Sequence, residues 1–243
     1  MTGTPLRLKE MPPDAMRRAL KASRRLIVPV GTCEQHGPHL PLGADTFVVE
    51  RLADDLSAEF GVVRAPTVEY GVNDRLSADD AGGAGVRRKT LRRWLNDLLP
   101  DWERAGIEEI IILTMNGFAP HQEALCTVLS GAARVRVIDI LAAAFGGLVE
   151  SPDDPIHGGE VDTSLVLFVR PDLVRMEAAR DCIMPESDLR RYRRGSTITL
   201  PPDSPGSVGR PSHASAEKGE RLYRFILDRV RERVFANSVP TAG

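Results

Sequence analysis

One apolar run, residues 109–115 (EIIILTM), most constrains the fold of this chain. Four consecutive large aliphatic residues between polar ones are typical of a strand that is buried on both faces. A second run of this kind covers residues 25–31 (RLIVPVG), and a third covers residues 135–141. Strands buried on both faces occur mainly in parallel sheets, because the crossover connections place helices over each face. The three runs therefore predict a parallel sheet covered by helices.

Amphipathic segments alternate with these runs and predict the covering helices, since their apolar residues recur at helical spacing. Four segments fit this description: 46–60, 90–106, 120–133 and 216–234. Pro100 is expected to kink or end the second helix, because proline lacks the N–H that the helix needs. Residues 62–70 are predicted to form a further strand, whereas residues 160–169 fit either a helix or a strand. The alternation of strands and helices indicates an α/β fold.

No internal repeat and no linker divides the sequence. We therefore predict one three-layer domain over residues 1–243, with a mainly parallel central sheet flanked by helices. Residues 1–22 are expected to form an N-terminal extension with a helix, and residues 236–243 a disordered tail. The glycine-rich stretch 79–85 is expected to be a flexible loop.

Composition argues against several classes of protein. The formal net charge of −2 gives no reason to expect nucleic acid or an acidic membrane as a partner. Three widely spaced cysteines argue against a disulfide framework and against a structural zinc site. The first residues lack the apolar core of a signal peptide, and no apolar run has the roughly 20 residues of a membrane helix. We expect a cytoplasmic protein.

The segment 31–45 (GTCEQHGPHLPLGAD) carries the densest chemistry, directly after a predicted strand. Glu34 and His36 stand two residues apart, so on an extended backbone their side chains point the same way. Asp45 opens the next helix and can be brought back toward them by the loop. Two carboxylates and an imidazole suit Zn²⁺, Mn²⁺ or Fe²⁺. The alternative is that the carboxylates cap turns or helices and the histidines are solvated.

The full string PVGTCEQHGPHLPLGAD, residues 29–45, resembles the signature of the creatininase (creatinine amidohydrolase) family. Similar segments follow in order: Tyr70-Gly71, Met115-Asn116-Gly117, the stretch 157–164 (HGGEVDTS) and the stretch 214–219. The resemblance covers roughly residues 26–227. It implies a parallel α/β domain, a homo-oligomer that is usually a hexamer, one or two divalent ions and hydrolysis of C–N bonds in cyclic or linear amides, formamides and some small peptides.

The resemblance also implies roles for individual residues. Glu34, His36 and Asp45 match metal ligands, with Asp45 bridging two ions. Glu160 is similar to an acidic residue that many members place at the second ion or its water, and we expect it to be a ligand and a catalytic group.

Three further sets of roles follow from the same motifs. Asp162 replaces the glutamate of the family's E-T-S motif and is expected to orient a ligand or move a proton. His157 is similar to a histidine that contacts the substrate or the developing tetrahedral centre. Tyr70, Asn116 and Phe118 are expected to contact the substrate.

The sequence departs from the family pattern at Phe118. The family reads N-G-H-G-G-N there, and its histidine is a metal ligand, whereas this chain reads N-G-F-A-P-H. Three outcomes stay open: a single-metal hydrolase, replacement of the lost ligand by His121, or a site without activity. His121 is equally compatible with an ordinary, partly exposed position at the start of a helix.

A second departure, over residues 72–88, removes the family's usual substrate contacts, so creatinine is not expected to be the substrate. Arg87 and Arg88 are compatible with an acidic substrate or with a solvated face. The favoured hypothesis is a metal-dependent amidohydrolase that acts on a small, non-peptide cyclic or linear amide through a metal-activated water. The alternative is a silent member that binds a ligand, or a lyase or isomerase of a specialised biosynthetic pathway.

Overall fold

The computed structural model describes residues 3–73, 82–193, 200 and 204–236. Four parallel strands form its sheet: β1 (Arg25–Val30), β2 (Val63–Arg64), β3 (Glu109–Thr114) and β4 (Arg134–Asp139). Their order across the sheet is β2-β1-β3-β4. The pairing of Val30 with Thr114, and of Thr114 with Asp139, aligns the ends of the three longer strands. Loops that leave these strands therefore meet at one edge of the sheet, which we call the carboxyl edge.

Seven α-helices accompany the sheet: α1 (Pro13–Ala22), α2 (Ala44–Phe60), α3 (Arg88–Arg104), α4 (Ala119–Cys126), α5 (Glu160–Val169), α6 (Glu186–Arg193) and α7 (Ala216–Val230). Side chains alternate across the sheet, so Ile111 and Leu113 pack with α2, α5 and α7, while Ile110 and Ile112 pack with α3 and α4. Each such fully buried aliphatic side chain stabilises the fold by about 1.5–3 kcal/mol. The three-layer α/β architecture predicted from the sequence is confirmed.

The predicted bounds of several elements need correction. The strand expected over residues 62–70 pairs only at Val63–Arg64, with an isolated bridge at Val68. Pro100 does not end its helix, since α3 continues to Arg104 with the exposed proline inside it. The ambiguous stretch 160–169 is helical.

Other elements also differ from their predicted lengths. Helix α4 ends at Cys126, seven residues before the predicted end at residue 133. The last helix passes into a π-helical turn, Arg231–Phe235. Five short 3₁₀ turns complete the described structure: Leu8–Glu10, Gly146–Leu148, Pro171–Leu173, Met176–Ala178 and Pro211–His213. Most of the predicted tail, residues 237–243, and residues 79–81 of the predicted loop lie outside the described residues.

Among the helices that the structure describes, none is long and apolar enough to cross a membrane.

Candidate active site

The carboxyl edge brings together polar side chains from distant parts of the chain. The loop after β1 supplies Glu34 and His36, the loop after β3 supplies Asn116, and the first turns of α2 and α5 supply Asp45 and Asp162. All five are buried, with relative exposures between 1% and 8%. Ligand sites of parallel sheets lie at this edge, so the cluster occupies the position expected for an active site.

The close approach of α2 to β1 depends on Gly31. A Cβ atom at Gly31 would overlap the side chain and Cα of Thr46 in the first turn of α2. Thr46 also donates its hydroxyl hydrogen bond to the carbonyl oxygen of Thr32 at 3.0 Å. The glycine thus lets the helix start beside the strand end, which carries Asp45 into the cluster.

Asp45 is held by three neighbours. The Thr32 hydroxyl donates to its Oδ2 at 2.8 Å, and the Asn116 amide donates to the same oxygen at 3.3 Å. Its Oδ1 faces His36 Nε2 at 3.3 Å. Each carboxylate oxygen therefore has a fixed direction, and Oδ1 is the one turned toward the imidazole.

Asn116 joins the two acidic ligand candidates. Its Nδ2 donates to Glu34 Oε2 at 2.8 Å as well as to Asp45, and its Oδ1 accepts the N–H of Phe118 at 2.9 Å. A primary amide has only two N–H donors, so both are used on the carboxylates. This side chain therefore positions Glu34 and Asp45, and its substrate contact stays a prediction.

His36 is oriented so that its Nε2 points at a carboxylate. Its Nδ1 lies 3.1 Å from the carbonyl oxygen of Glu34, which can only accept, so Nδ1 carries a hydrogen and donates it to this oxygen. In the neutral imidazole, Nε2 is then a lone-pair acceptor that faces Asp45 Oδ1, another acceptor. Two acceptors at this distance need a cation between them, either a proton on His36 or a metal ion. A ring whose second nitrogen donates to a backbone carbonyl is the arrangement that metal-binding histidines show.

The charges of the cluster shift its pKa values accordingly. Burial alone would lower the pKa of His36, but the charge and hydrogen bond of Asp45, with the charges of Asp162 and Glu34, raise it to about 10. Burial would raise the pKa of Asp45, yet the charge of His36 and the hydrogen bonds from His36, Thr32 and Asn116 lower it. The environment thus stabilises a positive charge between His36 and Asp45.

Asp162 adds a third carboxylate with one free oxygen. Its Oδ2 accepts the N–H of Gly158 at 2.6 Å, whereas the buried Oδ1 has no hydrogen-bond partner among the described residues. Burial raises the pKa of Asp162 to about 6, because the lowering by the charge of His36 is smaller. Gly158 has a φ of 71°, and a Cβ there would overlap the His36 carbonyl oxygen, so a glycine is required at this contact.

His157 lies against His36 and stays neutral. The two ring centroids are 4.8 Å apart, and His157 Nε2 lies 3.5 Å from Nε2 of Gln35. Burial, together with the charge of His36, lowers the pKa of His157 to about 3. The structure therefore brings the predicted catalytic pair, His157 and Asp162, to the side of the cluster that carries His36.

Glu160 does not join the cluster, which corrects its predicted roles as a metal ligand and catalytic group. Its carboxylate pairs with the Lys218 ammonium and accepts the backbone N–H groups of Glu150 and Ser151 at 2.9–3.1 Å. Residues two apart on an α-helix point about 200° apart, so Glu160 and Asp162 cannot both face the same site. Glu160 instead fastens α5 to α7.

His121 is not a replacement ligand, which corrects the prediction that it could supply the metal ligand lost at Phe118. The ring is fully buried, its Nδ1 accepts the N–H of Val72 at 3.1 Å, and its Nε2 lies 3.0 Å from the Thr114 hydroxyl. Both nitrogens are therefore occupied, and burial lowers the pKa of His121 to about 4. The expectation of a partly exposed histidine was also wrong. His121 ties the segment before residue 73 to the end of β3.

The remaining predicted residues take different positions. Phe118 precedes α4 and packs its half-buried ring against the core between the sheet and α3, so it supplies no ligand. Tyr70 is 54% exposed and lines a surface groove instead of the buried cluster. Substrate contacts by these two residues stay predictions.

The donor set fits one divalent cation, although the side chains are not arranged as a preformed metal site. Across the described residues, no group of three His, Cys, Asp or Glu side chains is so arranged. Two ligand atoms of one tetrahedral Zn²⁺ are separated by about 3.4 Å, given metal–ligand distances near 2.1 Å. His36 Nε2 and Asp45 Oδ1, at 3.3 Å, have this separation. The facing acceptors and the orphaned Asp162 Oδ1 therefore fit the chemistry of a cation site.

Sequence reasoning missed two residues of this edge. Thr32 orients Asp45, and Asp139 ends β4 with a carboxylate whose pKa is raised by burial and, further, by the charge of Asp45. Thr32 directly follows a predicted strand, so the rule that placed Glu34 and Asn116 at the carboxyl edge would have found it. Asp139 lies inside the strand predicted at residues 135–141, because the observed strand ends two residues earlier.

Comparison with known proteins agrees with this geometry. A family model described as Creatininase: Creatinine amidohydrolase matches residues 9–234. The mycofactocin precursor peptide peptidase of Mycolicibacterium smegmatis is 30% identical over 219 residues, covering 86% of this chain and 83% of the relative. The 3-dehydro-scyllo-inosose hydrolase of Thermotoga maritima is 26% identical, with coverages of 88% and 77%. The creatinine amidohydrolase of Pseudomonas putida is 22% identical, with coverages of 89% and 90%.

Solved structures share the fold. A crystal structure of creatinine amidohydrolase (creatininase) has a TM-score of 0.75 at 22% identity and covers 99% of this chain and 100% of its own. A mutant creatininase complexed with creatine has a TM-score of 0.76 at 21% identity, with coverages of 94% and 98%. The similar structures include a Zn-Zn form and an Mn form of creatininase. The family match spans nearly the whole sequence, and this chain belongs to the creatininase (creatinine amidohydrolase) family.

Proposed function

We propose that this chain is a metal-dependent amide hydrolase that uses one divalent cation held by Glu34, His36 and Asp45. The observation that carries the proposal is the pair of facing acceptors, His36 Nε2 and Asp45 Oδ1, 3.3 Å apart at the carboxyl edge. Three relatives named as a peptidase, a hydrolase and an amidohydrolase support hydrolase activity. The Zn and Mn forms of creatininase support Zn²⁺ or Mn²⁺ as the ion, with Fe²⁺ as a third candidate.

A single ion is favoured over two. The family's histidine ligand is replaced by Phe118, whose ring packs into the core, and His121 has both ring nitrogens engaged. Glu160 is paired with Lys218 and therefore cannot supply a ligand to a second ion. The ligand candidates that remain in the cluster are the three named above, with Asp162 beside them.

The bound cation would supply a polarised carbonyl and a water of lowered pKa. Asp162 would accept the proton from the attacking water on its free Oδ1 and pass it to the leaving nitrogen. The C–N bond breaks as the water oxygen bonds to the carbonyl carbon, and the products are an acid and an amine. His157, neutral at pH 7, would hold the substrate carbonyl or the attacking water by a hydrogen bond.

The proposal is tested by hydrolysis assays on lactams, formamides and short peptides, with free amine as the readout. We expect turnover that EDTA abolishes and that added Zn²⁺ or Mn²⁺ restores. Asp162→Asn should lower kcat by about 10²–10⁴-fold, the usual contribution of a general acid–base group. Asp172→Asn is the matched control, because Asp172 is an exposed carboxylate paired with Arg170. Full activity in EDTA would refute metal dependence.

The panel also decides the substrate class. The sequence predicted a non-peptide amide, whereas one relative is named as a precursor peptide peptidase. Turnover of lactams or formamides alone would support the first prediction, and turnover of peptides alone would correct it. A chain that binds metal but turns over none of these substrates would favour the lyase, isomerase or ligand-binding alternative.

A further inference from the structure

A groove beside the candidate active site has an apolar and aromatic lining. It encloses about 430 Å³ between the segment after β2 and the first half of α3, which is within the usual range of ligand pockets. The described part of the chain contributes eight residues to its lining: Thr67, Val68, Glu69, Tyr70, Val86, Thr90, Leu91 and Trp94. Tyr70 and Trp94 remain 54% and 45% exposed, although large aromatic side chains stabilise a protein most when they are covered.

The rim of the groove is basic. Arg93 lies three residues after Thr90 and so neighbours the groove on the helix surface. Arg87 directly follows Val86, a lining residue, and is the N-cap residue of α3. Lys89 adds a further exposed cation in the first turn. Within the described residues, none of these three has an acidic partner, whereas Arg88 is paired with Glu123. Among the described residues, Glu69 is the acidic residue of the lining, and the three exposed cations outnumber it.

These cations stand at an unfavourable end of the helix. The first turn of α3 contains no acidic residue, and the N-terminus of a helix carries a partial positive charge. Arginine and lysine there are repelled by the helix dipole, so the arrangement costs stability unless an anion binds. A ligand with carboxylates would remove this cost and match the rim.

The groove lies at the same edge of the sheet as the catalytic cluster. Val68 pairs with Val30 at the end of β1, so Tyr70 stands beyond the strand ends. A Cβ at Gly71, the next residue, would touch the Gly31 carbonyl oxygen and the His121 ring. Gly31 directly precedes Thr32, the residue that orients Asp45. A few residues of extended chain, at about 3.3–3.6 Å each, therefore span from the groove to the cluster.

We propose that the groove docks an acidic peptide segment that carries an aromatic or large apolar side chain, next to the amide bond that the cluster cleaves. The aromatic side chain would stack between Tyr70 and Trp94, and the carboxylates would pair with Arg87 and Arg93. This inference rests on the proposed hydrolase function and names its substrate class as a peptide.

Binding is measured by fluorescence anisotropy with a fluorescein-labelled peptide, Glu-Asp-Phe-Glu-Val-Tyr-Gly, on the Asp45→Asn variant, which is expected not to cleave it. The same peptide with lysine at its three acidic positions is the charge-reversed probe. We expect the acidic peptide to bind at least tenfold more tightly. Trp94→Ala should weaken its binding about tenfold, and the double change Arg87→Ala with Arg93→Ala should weaken it tenfold or more. Arg104→Ala, at the other end of α3, is the matched control and should have no effect.

Equal binding of the two peptides, or unchanged binding by the groove variants, would overturn the inference. The inference would also be overturned if the acidic peptide did not bind and Trp94→Ala abolished self-association in sedimentation velocity. The groove would then be a contact between copies of this chain. The proposed function is tested separately by wild-type turnover. If the acidic peptide binds but wild type turns over none of the panel, the groove stands and the hydrolase is refuted. Turnover of small amides without peptide binding supports the hydrolase and refutes the groove.

Discussion

Replacing Lys218 by methionine tests the role assigned to Glu160. Lys218 is 6% exposed, and its ammonium contacts the Glu160 carboxylate, Glu150 Oε1 at 2.9 Å and the His213 carbonyl oxygen at 2.5 Å. Methionine keeps the apolar stem but removes the charge. Glu160, itself 4% exposed, would then be a buried carboxylate without its cation.

The size of the effect follows from the contacts that remain. Removing one partner of a buried ion pair destabilises a protein by about 3–5 kcal/mol. Glu160 keeps the N–H donors of Glu150 and Ser151, so we expect a loss near the lower end, about 3 kcal/mol. For a chain of 150–250 residues, each kcal/mol lowers Tm by about 2–4 °C, which gives a fall of about 6–12 °C.

A double-mutant cycle with Glu160→Gln isolates the pair. Thermal unfolding of the two single variants and the double variant should give a coupling free energy of about 2 kcal/mol. Each single variant leaves one buried charge without its partner, whereas the double variant leaves neither. Glu160→Gln should also keep the metal content and turnover of the wild type. Additive losses within about 0.5 kcal/mol, or loss of metal from Glu160→Gln, would refute the structural role.

Two further predictions concern the packing of α2 and α7. Gly219→Ala should destabilise the fold by at least about 1–3 kcal/mol in urea unfolding, because its Cβ would overlap the Ser164 carbonyl oxygen on α5; an unchanged midpoint would contradict this contact. Burial would raise the pKa of Asp54, but hydrogen bonds from Arg7 and Arg64 lower it. Asp54 therefore stabilises the fold at pH values above its unfolded pKa. This stabilisation is lost as the pH falls through the folded pKa. The stability difference between wild type and Asp54→Asn, on the order of 1 kcal/mol at pH 7, should therefore shrink as pH falls below the unfolded pKa and vanish below the lowered folded pKa. A difference that grows in acid would contradict the ion pair.

The sequence predicts the sheet well because its evidence is local. The apolar runs at residues 25–31, 109–115 and 135–141 become β1, β3 and β4, and the helical spacing after Asp45 becomes α2. The strand predicted at residues 62–70 is interrupted at Pro66, which has no N–H to donate to a neighbouring strand. Only Val63–Arg64 and a bridge at Val68 pair with β1.

The predictions for the candidate site, like those for the strands, succeed where their evidence is local. The motif and the rule for strand ends bring Glu34, His36 and Asp45 to one edge, and the structure places them there. The roles predicted for Glu160 and His121 depended on the direction of each side chain. Lys218 and Val72, which set those directions, lie 58 and 49 residues away in the chain. No local pattern reveals such partners.

The most direct test of the proposed site is the metal content of the purified protein, followed by titration of the EDTA-treated protein with Zn²⁺ and Mn²⁺ in a calorimeter. We predict about one ion per wild-type chain, the same content for Glu160→Gln, and loss of the ion from Asp45→Asn. A metal ion would take the place of the proton between His36 Nε2 and Asp45 Oδ1, and the change to asparagine removes the negative charge that attracts it. A wild-type chain that binds neither ion, or an Asp45→Asn variant that binds as tightly as the wild type, would contradict a metal centre at Glu34, His36 and Asp45.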